Sequence, residues 1–134
     1  MSKIDLNKGE FTAINDILVG YCDDIYDMIV AEAEDITKEA RKMVRANSPI
    51  NKKRTKKRGR YKRGWSIKKN NSSGHIEYTI YNKTDWQLTH LLENGHSDKY
   101  GGFVKAKPHI KPVHDWCEKE YYKRVVDGIK KVSE

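Results

Sequence analysis

Five histidines, two cysteines and a dense run of cations are the side chains here with chemistry to offer. Four of the histidines, His90, His96, His109 and His114, fall in the second half of the chain. A zinc site needs Cys or His pairs at CxxC or HxxxH distance. Here His90 and His96 stand six residues apart across an expected helix end, and Cys22 and Cys117 have no cysteine near them. The spacing gives no metal template. A metal-dependent nuclease of the His-Asn-His type would need a metal-binding ββα unit, and the helix expected after the hairpin is patterned for packing instead. Cys22 and Cys117 are expected to be buried, reduced thiols on helices. No serine, cysteine or paired carboxylates stand where they would make a nucleophile or a general acid, and the acids are spread along helix faces where solvation explains them. The sequence therefore predicts no enzyme, no cofactor and no metal. His96 in "ENGH" and His109 in "PHI" are expected to close turns, bonding carbonyls left free by Gly95 and Pro108.

The cations point to binding. Residues 52–63 hold Lys52, Lys53, Arg54, Lys56, Lys57, Arg58, Arg60, Lys62 and Arg63 with no acid, so the rest of the chain sums to −1 against +8 overall. Such a run repels itself, which predicts a mobile arm until an anionic partner supplies counter-charge. Neutralising phosphates would make affinity fall steeply with salt. Tyr61 and Trp65 at its edge could stack on a base, or both could belong to a hairpin core beside a solvated loop. The arm is expected to touch DNA or an acidic protein face.

At 134 residues and 15.6 kDa the chain suits one domain, residues 1–134, with the basic arm or loop at 51–63 inside it. Only 37% of residues are hydrophobic and 34% are charged, so the core must rest on a few aromatic and branched side chains. No apolar run approaches the roughly 20 residues of a membrane span, which predicts no membrane partner. "MSKIDLNKGEF" lacks the apolar centre of a signal peptide, so a cytosolic product is expected.

Periodicity supplies the elements. Ile14, Ile17, Leu18, Tyr21, Ile25, Met28, Ile29, Ala33, Ile36, Ala40, Met43 and Val44 recur at threes and fours, predicting a helix from about Thr12 to Ala46 that stops at "NSP". At 1.5 Å per residue it is a rod of roughly 50 Å, which must overhang a small domain unless it bends or meets a neighbour. The period then becomes two: Trp65 and Ile67, then Ile76, Tyr78 and Ile80, predict a hairpin turning at "KNNSSG". "TDWQLTHLLENGH" predicts a short helix with a Thr84/Gln87 capping box, a left-handed exit at Gly95, and Trp86, Leu88, Leu91 and Leu92 laid on the hairpin. Phe103 and Val104 are expected to add an edge strand. From Pro112 a last helix carries Val113, Cys117, Tyr121, Val125, Ile129 and Val132. The expected fold is α+β: a long N-terminal helix, a small antiparallel sheet with a hairpin, a short middle helix and a C-terminal helix packed on one side.

"SPI" at 48–50, "GRYKRGWSIKK" at 59–69, "YNKTDWQLTHLLENGH" at 81–96, "YGGFVKAKPHIKP" at 100–112 and the closing helix occur in that order. Together they resemble the tail-completion, or head-tail joining, proteins of long-tailed DNA phages, the gene-product-ten-like tail-component family, over nearly the whole chain. On this resemblance Pro49, Gly59, Tyr61, Trp65, Leu91, Glu93, Gly95, His96, Gly102, Pro108, His109 and Pro112 occupy motif positions that make the fold or its interfaces, none of them catalytic. One departure stands out: family members usually join "SP" to the Tyr–Trp turn through a few residues, whereas this chain inserts the longer cationic arm. The resemblance implies a structural virion protein, assembled in the bacterial cytoplasm, that forms a homo-oligomeric ring around the DNA channel. Its implied partners are itself and the adjacent neck, head-completion and tail-tube proteins. The rival function is a nucleic-acid-binding regulator using the same arm.

Overall fold

The computed structural model describes residues 8–50, 58–72 and 75–133. The element order is α1 (Lys8–Asn47), α2 (Arg60–Arg63), β1 (Trp65–Ser72), β2 (His75–Asn82), α3 (Leu88–Asn94), β3 (His96–Ser97), β4 (Phe103–Val104) and α4 (Lys111–Ser133). This is the expected α+β arrangement of a long helix, a small antiparallel hairpin and a C-terminal helix. α1 is longer than its apolar pattern predicts, 40 residues or about 60 Å. It ends where Ser48 turns its hydroxyl back to the Val44 carbonyl (2.5 Å) ahead of Pro49.

α4 runs back along α1. Val113 at its start is buried with Ala40 and Val44, whereas Ser133 at its end meets Tyr21 through their hydroxyls at 2.9 Å. Between these points Gly128 lets Met28 sit against the α4 backbone, so closely that a Cβ there would strike the Met28 thioether. Arg124 fastens the pair. Its Nη2 reaches Glu39 at 2.8 Å and its Nε reaches Glu120 at 2.9 Å, and these partners raise its pKa further. Since α4 has only 23 residues against the 40 of α1, the first turns of α1 extend past it.

β1 and β2 pair antiparallel with Trp65 opposite Asn82, Ile67 opposite Ile80 and Lys69 opposite Tyr78, so the predicted apolar positions share a face. That face packs on α1. Lys69 to Ser72 of the expected turn belong to β1 instead, and Ser73 and Gly74 lie outside the described residues. The core is small: Ala40, Val44, Tyr61, Trp65 and Val113 are buried, with Met43, Ile80, Leu92, Ile110, Trp116 and Cys117 packed around them.

Five expectations are corrected. Thr84 is no helix cap: α3 starts at Leu88, four residues later, and Gln87 makes no side-chain cap bond. The Thr84 hydroxyl lies instead at 3.2 Å from both the Arg60 carbonyl and Asn82 Oδ1. Of the apolar residues expected on the hairpin only Leu92 joins the core: Leu88 and Leu91 are exposed because a seven-residue helix presents just one turn inward, and Trp86 is exposed in the turn before it. β4 adds no edge to the hairpin, since Phe103 and Val104 pair with Ser97 and His96 in a separate two-stranded sheet. Gly95 has the positive φ expected of it (77°), but its ψ of 169° leads into β3 rather than into a left-handed cap. Cys22 is exposed, because α4 ends beside Tyr21 and leaves it uncovered.

Candidate interaction surface

The motif residues shape the fold through one buried polar network. Tyr61 and His109 meet at 2.6 Å, Oη to Nε2. His109 Nδ1 lies 2.8 Å from the Lys107 carbonyl, which can only accept. Nδ1 therefore donates to it, and in the neutral ring the Tyr61 hydroxyl donates to Nε2. Burial, then the negative charges of Glu93 and Asp85, push the Tyr61 pKa far up and keep it a donor. His109 closes a turn on a backbone carbonyl as expected, on that of Lys107. His96 does not: its Nδ1 is buried without a hydrogen-bond partner among the described residues.

Glu93 is the second anchor. Its Oε2 accepts from the amides of His109 (2.8 Å) and Ile110 (3.0 Å), and its Oε1 from that of Lys111 (2.9 Å). These are donors at the entry to α4, so a carboxylate of α3 caps the N-terminus of α4. Burial alone would raise the Glu93 carboxyl, but the amides of His109, Ile110 and Lys111 counter it, and the pKa is held below its ordinary value. The sequence supplied Glu93 as a motif position without this role.

Trp65 and Asn82 fix the place where the cationic run joins the domain. Trp65 Nε1 donates to the Ser48 hydroxyl at 2.7 Å, across the arm. Asn82 Nδ2 donates to the Tyr61 carbonyl, and its Oδ1 accepts from the amides of Thr84 (3.2 Å) and Asp85 (2.9 Å). Gly64 is pressed against Thr84 and Asn82 so tightly that a Cβ would overlap both side chains. Ser48 and Asn82 escaped the sequence reading because each is one short polar residue whose partner lies far along the chain.

The nine cations divide. Lys52, Lys53, Arg54, Lys56 and Lys57 lie outside the described residues. Arg60, Lys62 and Arg63 belong to α2, whose Tyr61 is buried, so the second half of the expected arm is part of the fold. Arg60 reaches Asp85 at 3.4 Å and the Thr84 carbonyl at 3.3 Å. Arg63 donates to the Arg58 carbonyl at 3.0 Å, and the Arg58 side chain is exposed. Trp86 stands beside Asp85 with 65% of its surface exposed. Tyr61 and Trp65 belong to the core, as one of the two sequence alternatives had it.

Pro112 sits in the first turn of α4, and Gly102 closes the β3–β4 turn by donating to Asp98 Oδ1 at 2.9 Å. Pro108 is exposed beside buried His109. The four candidate histidines are not brought together. His114 instead pairs on exposed α4 with Asp115 (3.7 Å) and Glu118 (3.6 Å), an ordinary neighbourhood for residues one and four apart on a helix.

Two surfaces lack a covering element among the described residues. One is an apolar groove of about 560 Å³ between α1, β2 and α4, lined by Ile36, Ile76, Tyr78, Val113 and Tyr121 among others. The other is the start of α1, where every residue from Asp16 to Asp24 is exposed, including Ile17 at 71% and Leu18 at 57%. Faces of this kind on a small protein mark contact sites. Among the described residues no helix is long and apolar enough to cross a membrane.

No curated protein and no solved structure matches the chain. A family model described as "Bacteriophage HK97-gp10, putative tail-component" matches residues 18–95, more than half of it, from the exposed turns of α1 through the hairpin to Gly95. The chain therefore belongs to the HK97-gp10-like family and is a tail-related structural protein of a bacteriophage.

Proposed function

We propose that this protein joins head and tail during virion morphogenesis. It assembles as a homo-oligomeric ring at the neck and contacts adjacent neck, head-completion and tail-tube proteins. Its mechanism is surface complementarity rather than catalysis, and the 52–63 run meets DNA or an acidic partner. The observation that carries this reading is the exposed stretch of α1 from Asp16 to Asp24, an apolar and acidic rod touched only at Tyr21, by the end of α4, among the described residues of a tail-component fold. A rod of that kind has no use in a lone monomer and suits a subunit interface.

The decisive experiment deletes the gene from its phage. Filled heads and separate tails that join when the protein is supplied in trans are expected, with the protein found at the capsid–tail junction by immunogold microscopy. Fully joined particles lacking the protein would overturn the reading. The cationic run also favours a second reading, a nucleic-acid-binding regulator. That protein would be absent from virions and would prefer particular DNA sequences, whereas a neck protein would show no sequence preference.

A further inference from the structure

The charge of this molecule is polarised along α1. Between Asp16 and Asp35 the sequence carries seven acids and no Lys or Arg, while from Lys38 to Arg63 it carries thirteen cations and one acid. In one straight helix, Asp23 and Arg45 are 22 residues apart, about 33 Å. Asp23 and Arg45 therefore sit toward opposite ends of the rod and are too far apart to pair within one copy. Among the described residues, Asp16, Asp23, Asp24 and Asp27 have no cation within 4.0 Å, since Arg124 takes only Glu32, Glu39 and Glu120.

Apolar exposure is distributed in the same way. Ile17, Leu18 and Val19 are exposed at the acidic end. At the cationic end, α2 packs on the end of α1, and Arg60 of α2 pairs with Asp85, next to exposed Trp86; Ile50, just past α1, is exposed as well. The last turn of α4 brings Lys130 and Lys131 to the acidic end, but neither pairs with an α1 acid within 4.0 Å among the described residues, so each end of α1 still offers charge that the other lacks and matches it in apolar surface. DNA would be repelled by the acidic end, and an acidic protein would be repelled by it too. A second copy supplies both the cations and the tryptophan, a residue type that anchors interfaces.

We propose that the exposed first turns of α1, Asp16–Asp27, seat a second copy of this chain, which lays its cationic end, with Lys42, Arg58, Lys62 and Trp86, on them head to tail. The contact is heterologous: each copy uses one end as donor and the other as acceptor, so the same bond repeats until a ring closes. This rests on the ring reading above and names its contact.

Cys22 provides a probe, since it lies exposed in the middle of the acidic turns. Lys42 is also exposed and lies 20 residues further along the same helix, about 30 Å away. In a Cys117→Ala, Lys42→Cys background, a bismaleimide of about 10 Å cannot bridge the two within one copy, so a cross-linked ladder reports the head-to-tail contact, and a product that stops at the dimer would mark a two-fold pair and overturn it. The expected result is a ladder at low ionic strength that fades as salt rises, because the pairing charges are exposed. It should vanish with Cys22→Ser.

Charge reversal supplies the second arm, read by sedimentation of the full chain. Asp23→Lys/Asp24→Lys/Asp27→Lys and, separately, Lys42→Glu/Arg58→Glu/Lys62→Glu should each weaken self-association roughly tenfold or more. Mixing the two reversed proteins should restore it, because each reversed end then meets its opposite. Trp86→Ala should weaken it while leaving the thermal midpoint near that of the parent. Self-association unchanged by either reversal would overturn the contact and leave the ring reading standing. A protein that stays monomeric without a ladder at low salt would also overturn the contact, and the ring reading would then be judged at the particle neck. A cationic-end reversal that abolishes DNA binding but leaves self-association intact would assign that end to DNA and overturn the proposal.

Discussion

At the scale of single residues the fold depends on two polar anchors in a core too small to tolerate an orphaned group. The Tyr61 hydroxyl is the sole donor to the buried His109 Nε2 among the described residues. Tyr61→Phe keeps the ring but leaves that nitrogen unsatisfied, so it should cost about 1–3 kcal/mol by urea denaturation. A change within error would mean that water replaces the hydroxyl. Glu93 makes a pH-dependent contribution. Its folded pKa lies below the ordinary 4.5, so the stabilisation is complete above that value and is lost as pH falls through the folded one. Glu93→Gln should remove roughly 1.5–3 kcal/mol at pH 7. It should also flatten the part of the acid melting profile below pH 4.5 that the parent shows, and parallel profiles for the two proteins would refute the capping role. Tyr61, Glu93 and His109 could be picked out from the sequence as motif positions, yet their roles could not, because their mutual contacts span 16 to 48 residues and carry no local pattern.

At the scale of elements, the sequence was informative where periodicity was long and misleading where a motif was short. Twelve apolar positions at threes and fours fixed α1, and strict alternation fixed the hairpin face. The Thr84/Gln87 box failed because the Thr84 hydroxyl has partners in Arg60 and Asn82, which spacing alone cannot reveal. Two-residue strands such as β3 and β4 are too short to show any period, so their pairing with each other was missed. The deeper failure concerns the candidate surface. Ile17 and Leu18 continue the same stripe as buried Ile36 and Val44, but a stripe says which face is apolar and not whether anything covers it. That depends on the length of α4, which stops opposite Tyr21. The uncovered turns therefore behave as a nearly independent helix. Gly20 lies among them with open space where a Cβ would stand. Gly20→Ala should raise local helix stability by about 1 kcal/mol. The gain should appear as slower amide exchange over residues 16–24 with no shift of the global urea midpoint, because those turns open before the core does. A raised midpoint would show that the overhang unfolds with the core.

At the scale of the whole molecule, the proposed binding role of the cationic run divides it from the part that belongs to the fold, with the boundary near Arg58. On its C-terminal side Arg60 is tied to Asp85 and the Thr84 carbonyl, and α2 presents Tyr61 to the core. On its N-terminal side Lys52, Lys53, Arg54, Lys56 and Lys57 add five positive charges. Stability and binding should therefore separate by position along a run that composition treats as uniform. Replacing those five cations by serine should leave the urea midpoint within about 0.5 kcal/mol of the parent. It should also weaken binding to DNA or to an acidic partner and shrink the salt dependence, since each lost phosphate contact lowers the log–log slope by about 0.9. Arg60→Ser should do the reverse, lowering stability by about 0.2–1 kcal/mol for a partly exposed ion pair while leaving most of the salt slope intact. If the five-serine protein unfolds, the segment is part of the scaffold and its charge is incidental. If it folds and its salt slope is unchanged, the positive end acts through Lys42, Arg58 and Lys62 on the surface of the domain itself.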